Sequence, residues 1–292
     1  MNTIHSAASG RRQFLTFLAS VTTFSILGVA ASTAWAETRK GRIKQAVCRG
    51  VFKGSNLDLE GECREAARLG AHGIDLVGPE AFPLLKKYGL LPTMVPGGSS
   101  IKAGINDKEN HSTIAQKMRE AIKEAAAAGA PNVIVLAGDR KGLTDEEGLE
   151  NSALFLNNLK GLAEEQGVSL CTELLNSKVN HPGYMCDHTA WGVELCKRVN
   201  SPRVKLLYDI YHMQIMEGDI IRTIQQNIKY IGHFHTAGNP GRHQFDDTQE
   251  MNYKAICRAI ADLGYRGYLS HEYTPTKDPI ETLDKMMSIC EV

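Results

Sequence analysis

Ionisable side chains stand at the ends of the last four apolar runs of the chain. Seven of the ten histidines follow residue 180, and the four runs end in Glu173, Asp209, His235 and Glu272. If these runs are parallel strands of one barrel, their carboxyl ends converge above its axis. Three converging carboxylates repel one another unless a cation compensates. The pattern therefore predicts one divalent cation, with Mn²⁺ or Mg²⁺ favoured and Co²⁺ or Zn²⁺ compatible with the oxygen-rich ligand set.

Each of these residues taken singly has a simpler explanation. Glu173 or Asp209 could be a solvated carboxylate in a loop, and His235 could be satisfied by the backbone. The recurrence of ionisable residues on four successive strands is what favours a shared metal site over four unrelated side chains.

The elements that position these residues follow a repeated pattern. A helical stretch ends in a glycine, and a short apolar run follows, in four clear copies with glycines at 70, 129, 167 and 264. Glycine after a helix is typical of the left-handed cap, and the short runs rich in β-branched residues are typical of buried parallel strands. Each copy is therefore predicted to be one helix-to-strand step.

The complete pattern predicts eight strands alternating with eight helices. The strands are expected near 43–49, 73–77, 90–95, 132–137, 168–174, 203–210, 229–236 and 267–273, and the last helix near 279–290. Such alternation is typical of an α/β protein with one parallel sheet, either a closed barrel or a doubly wound open sheet. No Gly-x-Gly-x-x-Gly or Gly-Lys-Ser/Thr loop follows the first strand, which favours a single (β/α)8 TIM barrel over a nucleotide-binding fold. The loops after strands three, five and seven are expected to be long.

Composition narrows the functional class. Lys and Arg number 33, as do Asp and Glu, so the chain lacks the basic field that nucleic-acid binding requires. Hydrophobic residues make up 42% and charged residues 23%, which excludes a disordered or polytopic membrane protein. Seven cysteines show no metal-finger spacing, and the odd number argues against a disulfide framework. Cys196 is expected to be a small buried apolar residue.

Residues 1–36 have the organisation of an export signal. Arg11 and Arg12 precede an apolar stretch over 14–31, and Ala34-Trp35-Ala36 forms a small-x-small cleavage site. The string around the arginine pair resembles a twin-arginine signal, which implies the twin-arginine export machinery as a partner and a periplasmic or exported location in a bacterium. Cleavage would leave a barrel domain over 37–292 with no stable membrane insertion. A retained anchor is the alternative, since the apolar run approaches the length of a membrane span.

Five segments carry a resemblance to a known family. Residues 173–176, 208–214, 231–235, 239–242 and 271–273 resemble successive motifs of the hydroxypyruvate isomerases, in the xylose isomerase-like superfamily of sugar isomerases and epimerases, and the similarity extends over 42–291. The resemblance implies an α/β barrel that holds one divalent cation through the four residues named above. It also implies that Glu173 and Glu272 move protons and that His212 and Arg242 bind substrate.

Two departures from the family pattern bear on substrate identity. Residues 244–250 replace the usual glycine-rich Glu-Pro-Gly-Thr-Gly-Glu sequence, so the substrate lid is altered. The ligand position on strand seven is Gln or His in the family and is His235 here. The reaction class is therefore better supported than the substrate.

The expected function is a metal-dependent isomerase of a small keto acid or sugar, with hydroxypyruvate to tartronate semialdehyde as the leading reaction. Glutamate bases would transfer the proton through an enediolate that the metal stabilises. An epimerase or a dehydratase of a keto-sugar could use the same scaffold. An exported sugar-binding protein without turnover is the non-enzymatic alternative, and self-association is left open.

Several further residues have a predicted placement. Asn176, Lys178 and His181 follow Glu173 in a loop and are candidates for substrate contact. His212 could polarise a substrate oxygen or merely cap the strand end. His233 shares a strand face with His235 and is predicted to support it or to pack deeper in the barrel. Asp75 ends strand two and could line the mouth of the barrel, but a solvated carboxylate is favoured. Trp191 is expected to lie in the core.

Overall fold

The computed structural model describes residues 39–292, so the predicted leader over 1–36 lies outside the described residues. Eight parallel strands pair in sequence order, and β8 pairs with β1 to close a barrel. This confirms the predicted TIM barrel. The strands are β1 Lys44–Cys48, β2 Gly73–Asp75, β3 Leu91–Pro96, β4 Asn132–Val135, β5 Ser169–Glu173, β6 Val204–Asp209, β7 Ile231–Thr236 and β8 Tyr268–His271.

The described residues form ten α-helices, so the prediction of eight is wrong. They are α1 Leu59–Arg68, α2 Phe82–Lys87, α3 His111–Ala128, α4 Asp145–Asn157, α5 Lys160–Gln166, α6 Thr189–Val199, α7 Ile210–Met216, α8 Ile220–Asn227, α9 Tyr253–Asp262 and α10 Pro279–Cys290. Two helices follow β4 and two follow β6. Between α7 and α8, Gly218 and Asp219 both have positive φ, at 65° and 44°, which a continuous right-handed helix does not allow. The last helix has the predicted bounds.

Strand alternation decides which side chains reach the barrel interior. Successive residues of a strand point to opposite faces. Tyr208 and Phe234 contact each other edge to face, with ring centroids 6.0 Å apart, while an inner apolar cluster contains Cys171 and Leu207. Glu173 and Asp209 each lie two residues after a member of that inner cluster. They therefore point inward at the carboxyl end of the barrel.

The long loops lie where the sequence predicts them. Residues 97–110 connect β3 to α3, residues 174–188 connect β5 to α6, and residues 237–252 connect β7 to α9. The last of these contains a cis peptide between Asn239 and Pro240. All three leave the carboxyl ends of strands, the end at which barrel enzymes build their sites.

The cysteines and Trp191 lie in the core. All seven cysteines lie in the described part of the chain and are buried free thiols, and Cys196 packs in the core as predicted. Trp191 is buried in α6, and its Nε1 donates to the Asp145 carbonyl oxygen at 3.2 Å. Among residues 39–292, no helix combines the length and apolar character needed to cross a membrane.

Candidate active site

The structure brings together the four predicted metal ligands. One ligand atom from each of Glu173, Asp209, His235 and Glu272 lies within 4.8 Å of every other. The Nδ1 atom of His235 lies 3.4 Å from Glu173 Oε1 and 3.1 Å from Glu272 Oε2. The first three side chains are buried, while that of Glu272 is 24% exposed. The opening to solvent is therefore on the Glu272 side.

The cluster has the electrostatics of a cation site. Burial raises the pKa of Asp209 to about 6, although Arg242 opposes that shift. Burial likewise raises the pKa of Glu173, against the effect of His235. Burial also acts to raise the pKa of Glu272, but His235 and Arg242 outweigh it and bring that pKa to about 2. Three acidic groups in one buried space need positive charge beside them.

The donor set fits a divalent cation. Within the described residues, the buried Nδ1 of His235 makes no hydrogen bond, although it faces two carboxylates. Three carboxylates and one imidazole form an oxygen-rich set that suits Mn²⁺ or Mg²⁺ and accommodates Co²⁺ or Zn²⁺. The structure thus contains a group of residues able to hold a metal at the predicted position.

Asp209 also begins the helix that follows its strand. Its Oδ1 accepts the backbone N–H of His212 at 3.1 Å, so the residue is the N-cap of α7. This places His212 directly beside the cluster. The remaining oxygen, Oδ2, lies 3.7 Å from His212 Nε2 and 3.8 Å from Arg242 Nη2.

The hydrogen bonds of His212 determine which of its ring nitrogens carries the proton. Its Nδ1 accepts the backbone N–H of Asn176 at 3.2 Å and the side-chain Nδ2–H of the same residue at 2.6 Å. The ring proton must therefore be on Nε2, which is buried and makes no hydrogen bond within residues 39–292. Burial, together with Arg242, lowers the pKa of His212 to about 3. The residue is thus a neutral donor, free to bind an oxygen atom placed beside the cluster.

Arg242 lies at the rim of the cluster. Its Nη2 donates to Glu272 Oε2 at 2.8 Å, and its guanidinium lies 5.6 Å from the centre of the Tyr211 ring. Its backbone has a φ of 56°, in the left-handed region that non-glycine residues rarely adopt. The Thr274 backbone N–H donates to the Arg242 carbonyl at 2.8 Å, which ties the residue to the segment after β8. The structure holds this guanidinium where an anionic substrate group could reach it.

The three candidates in the loop after β5 have different placements. Asn176 is fully buried, and its side chain bonds to His212 and to the backbone of residues 179 and 180. The His181 ring lies 5.3 Å from the His212 ring, at the edge of the site. Lys178 instead donates to the carbonyl oxygens of Ile215 and Met216, at 3.2 and 2.9 Å, and so anchors the loop to α7.

The expectation that Asp75 is solvated is wrong. Its side chain is fully buried, and Oδ2 lies 2.7 Å from His233 Nε2 and 3.1 Å from His235 Nε2. His233 is buried two residues before His235, as predicted for a supporting residue. Tyr211, whose ring lies beside the Arg242 guanidinium, had no predicted role. Strand alternation gave a usable signal for Asp75, since an inward residue at the end of a short barrel strand faces the other strands.

Part of the chain is similar in sequence to named isomerases. The chain is 30% identical over 176 residues to a human protein named putative hydroxypyruvate isomerase, a match covering 59% of this chain and 64% of that protein. It is 34% identical over 158 residues to the 2-oxo-tetronate isomerase of Cupriavidus necator, covering 53% and 59%. It is 37% identical over 105 residues to the hydroxypyruvate isomerase of Escherichia coli, covering 35% and 40%. The matches thus span less than two thirds of these relatives.

Solved structures show the same fold. An AP endonuclease of family 2 from Brucella melitensis superposes with a TM-score of 0.76 at 23% identity, over 84% of this chain and 99% of that one. A D-psicose 3-epimerase from Clostridium cellulolyticum does so with a TM-score of 0.70 at 19% identity, over 86% and 100%. At such identity the likeness establishes the fold alone. The model of the xylose isomerase-like TIM barrel family matches residues 63–289, and the chain therefore belongs to that family.

Proposed function

We propose that this chain is a divalent-metal-dependent isomerase of small 2-keto acids that converts hydroxypyruvate to tartronate semialdehyde. The observation that carries the proposal is the buried cluster of three carboxylates and one imidazole, with a neutral histidine donor and an arginine at its rim. The named relatives that act on hydroxypyruvate and 2-oxo-tetronate support this substrate class.

The two glutamates are suited to move the proton. In hydroxypyruvate, isomerisation requires removal of a proton from the hydroxymethyl carbon and its return at the neighbouring carbonyl carbon. Glu173 and Glu272 both face His235 Nδ1, at 3.4 and 3.1 Å, and their pKa values are shifted in opposite directions. A carboxylate pair with differently tuned pKa values can supply one base and one acid. A cation held by the cluster would act as a Lewis acid that makes the proton easier to remove.

Two further side chains would orient the substrate. The Nε2–H of His212 can donate to a substrate carbonyl or hydroxyl oxygen, and because its Nδ1 is occupied by Asn176 the ring cannot easily reverse its donor and acceptor roles. Arg242 can bind the substrate carboxylate with two parallel N–H donors. The same arrangement would hold the substrate with its reacting carbons above the glutamates.

The proposal is tested by following the purified, metal-loaded protein with hydroxypyruvate in deuterated buffer by NMR. We expect tartronate semialdehyde to form, with deuterium at its C2. Loss of water from a keto-sugar without such isomerisation would instead identify a dehydratase. Ligand-dependent stabilisation without hydrogen exchange on any keto acid or ketose would identify a binding protein.

Arg242→Ala should act mainly on substrate binding. A hydrogen-bonded ion pair is worth about 1.5–3 kcal/mol, which corresponds to a rise of about 10–100-fold in the KM for hydroxypyruvate. The turnover number should change less if the guanidinium binds ground and transition states equally. The measurement is steady-state kinetics of both proteins.

Dihydroxyacetone is the matched probe for that variant, since it carries a hydroxymethyl group where hydroxypyruvate carries its carboxylate. Its inhibition constant should be nearly the same for the wild-type protein and Arg242→Ala. An equal weakening of both ligands would contradict a carboxylate-binding role for Arg242.

We also propose that the chain is exported through the twin-arginine route. Arg11→Lys combined with Arg12→Lys should leave uncleaved precursor inside the cell, because that route reads the arginine pair itself. Fractionation and amino-terminal sequencing would measure this. The control is Arg64→Lys with Arg68→Lys, the same change at two exposed positions of α1. Normal processing of the first double variant to a terminus at Glu37 would refute the route.

A further inference from the structure

A buried carboxylate that the proposed chemistry does not use lies directly below the candidate metal site. Asp75 ends β2, points into the barrel and is fully buried. It accepts hydrogen bonds from Thr93 Oγ1, from His233 Nε2 at 2.7 Å and from His235 Nε2 at 3.1 Å. Burying a carboxylate is costly unless donors surround it, and here three donors converge on it.

The hydrogen bonds around His233 determine which of its ring nitrogens carries the proton. The Asn132 Nδ2 lies 3.4 Å from His233 Nδ1, and an amide N–H in this position can only donate. The orientation of that amide is set by two further bonds, from its Nδ2 to the Thr93 carbonyl at 3.1 Å and from the Cys171 thiol to its Oδ1 at 3.6 Å. His233 therefore carries its proton on Nε2, and this N–H donates a hydrogen bond to Asp75.

We propose that Asp75 is a positioning residue for the metal site. Its carboxylate accepts a hydrogen bond from the Nε2–H of His235. This bond orients the ring so that the Nδ1 lone pair faces the cation. The inference rests on the proposed function, because it concerns the same site.

The geometry of His235 supports a role in orienting this ligand. Its two ring nitrogens face different surroundings, since Nε2 faces Asp75 whereas Nδ1 faces Glu173 and Glu272. With the proton on Nε2, the nitrogen left to bind a cation is the one that points at the other ligands. A carboxylate on the far side of the imidazole also makes that nitrogen more basic.

The orientation of the His235 ring depends on Asp75. Apart from the carboxylate, the Cys48 thiol sulfur, at 3.9 Å, is the hydrogen-bonding atom that Nε2 meets among the described residues. Thiol sulfur is a weak hydrogen-bond acceptor, and this one also lies 3.8 Å from Ser270 Oγ. Asp75 is thus the strong acceptor that fixes the tautomer, and the Nε2–H of His233 donates to the same oxygen of Asp75.

The experiment measures Mn²⁺ affinity by calorimetry for the wild-type protein, Asp75→Asn and Thr93→Val. Asparagine keeps the shape of the side chain but replaces an ionised acceptor with a neutral amide. Loss of such a supporting partner typically costs about 10–100-fold in metal affinity, and we expect that weakening in Asp75→Asn. Thr93→Val removes a different donor to the same carboxylate and should stay close to wild type. Wild-type affinity in Asp75→Asn, or equal weakening in both variants, would overturn the inference.

A second measurement is made on the wild-type protein and does not require Asp75→Asn to fold. NMR of the protein labelled with ¹⁵N-histidine and loaded with Zn²⁺, a diamagnetic probe, should show His235 bound through Nδ1 with its proton on Nε2. The signal is assigned with His235→Gln. Ligation through Nε2 would overturn the inference while leaving metal binding intact. A wild-type protein that binds neither Mn²⁺ nor Zn²⁺ would overturn the proposed function, and the role of Asp75 with it.

Discussion

Glu173→Gln and Glu272→Gln should each slow isomerisation by about 10²–10⁴-fold, the usual contribution of a general acid or base. Glutamine keeps a neutral oxygen of nearly the same shape but cannot accept the proton. Metal affinity should therefore fall less than turnover. The measurement is hydrogen–deuterium exchange at the substrate carbon together with the turnover number, at saturating metal.

The control for these variants is Glu62→Gln. Glu62 is also a buried glutamate, but it lies in α1 and pairs with Arg49 at 2.6 Å, outside the cluster. It should leave exchange unchanged. Exchange at the wild-type rate in both Glu173→Gln and Glu272→Gln, with metal still bound, would show that the two-glutamate mechanism is wrong.

Asp209→Asn should abolish stable metal binding. It removes the charge of a buried ligand, so the loss of affinity should exceed the roughly 10–100-fold that loss of an outer hydrogen-bond partner costs. Asparagine is as good a helix N-cap as aspartate, so the bond to the His212 backbone and the start of α7 should persist. Metal analysis of the purified variant, with circular dichroism to follow helix content, separates the two effects.

Asp58→Asn is a matched control for that prediction. Asp58 is the N-cap of α1, where its Oδ1 accepts the Gly61 N–H at 2.8 Å, and it is not one of the four clustered residues. The same chemical change there should leave metal content at the wild-type level. Undiminished metal in Asp209→Asn would contradict the proposed ligand set.

The barrel and its four clustered residues could be predicted because each depends on local sequence pattern. Helix, glycine and short apolar run recur in four copies, each of which fits one helix-to-strand step, and the polar residues Glu173 and Asp209 end predicted strands. Strand direction then places them at one end of the barrel. The split between α7 and α8 was missed because a glycine inside a helical pattern does not by itself end a helix, whereas the positive φ angles of Gly218 and Asp219 do so here.

The contacts of the supporting residues could not be predicted in the same way, since they join distant strands. Asp75 and His233 are separated by 158 positions, and nothing local to β2 shows that a histidine will meet its carboxylate. The same holds for Asn176, whose bond to His212 joins the β5 loop to α7 across 36 positions. Residue type alone suggested that Asp75 is solvated and that Asn176 contacts substrate. Closure of the barrel decides the environment of both residues.

The buried carboxylate cluster also has a consequence for how selection retains the site during evolution. Burial raises the pKa of Glu173 and of Asp209, so the ionised form of each side chain destabilises the folded protein. Natural proteins commonly trade stability for activity at such positions. Random substitution under selection for heat resistance alone would favour apolar replacements at residue 173, because they remove this cost. Only selection for the reaction itself retains the acid, and a lineage that stopped using its substrate would be expected to lose Glu173 while keeping the barrel.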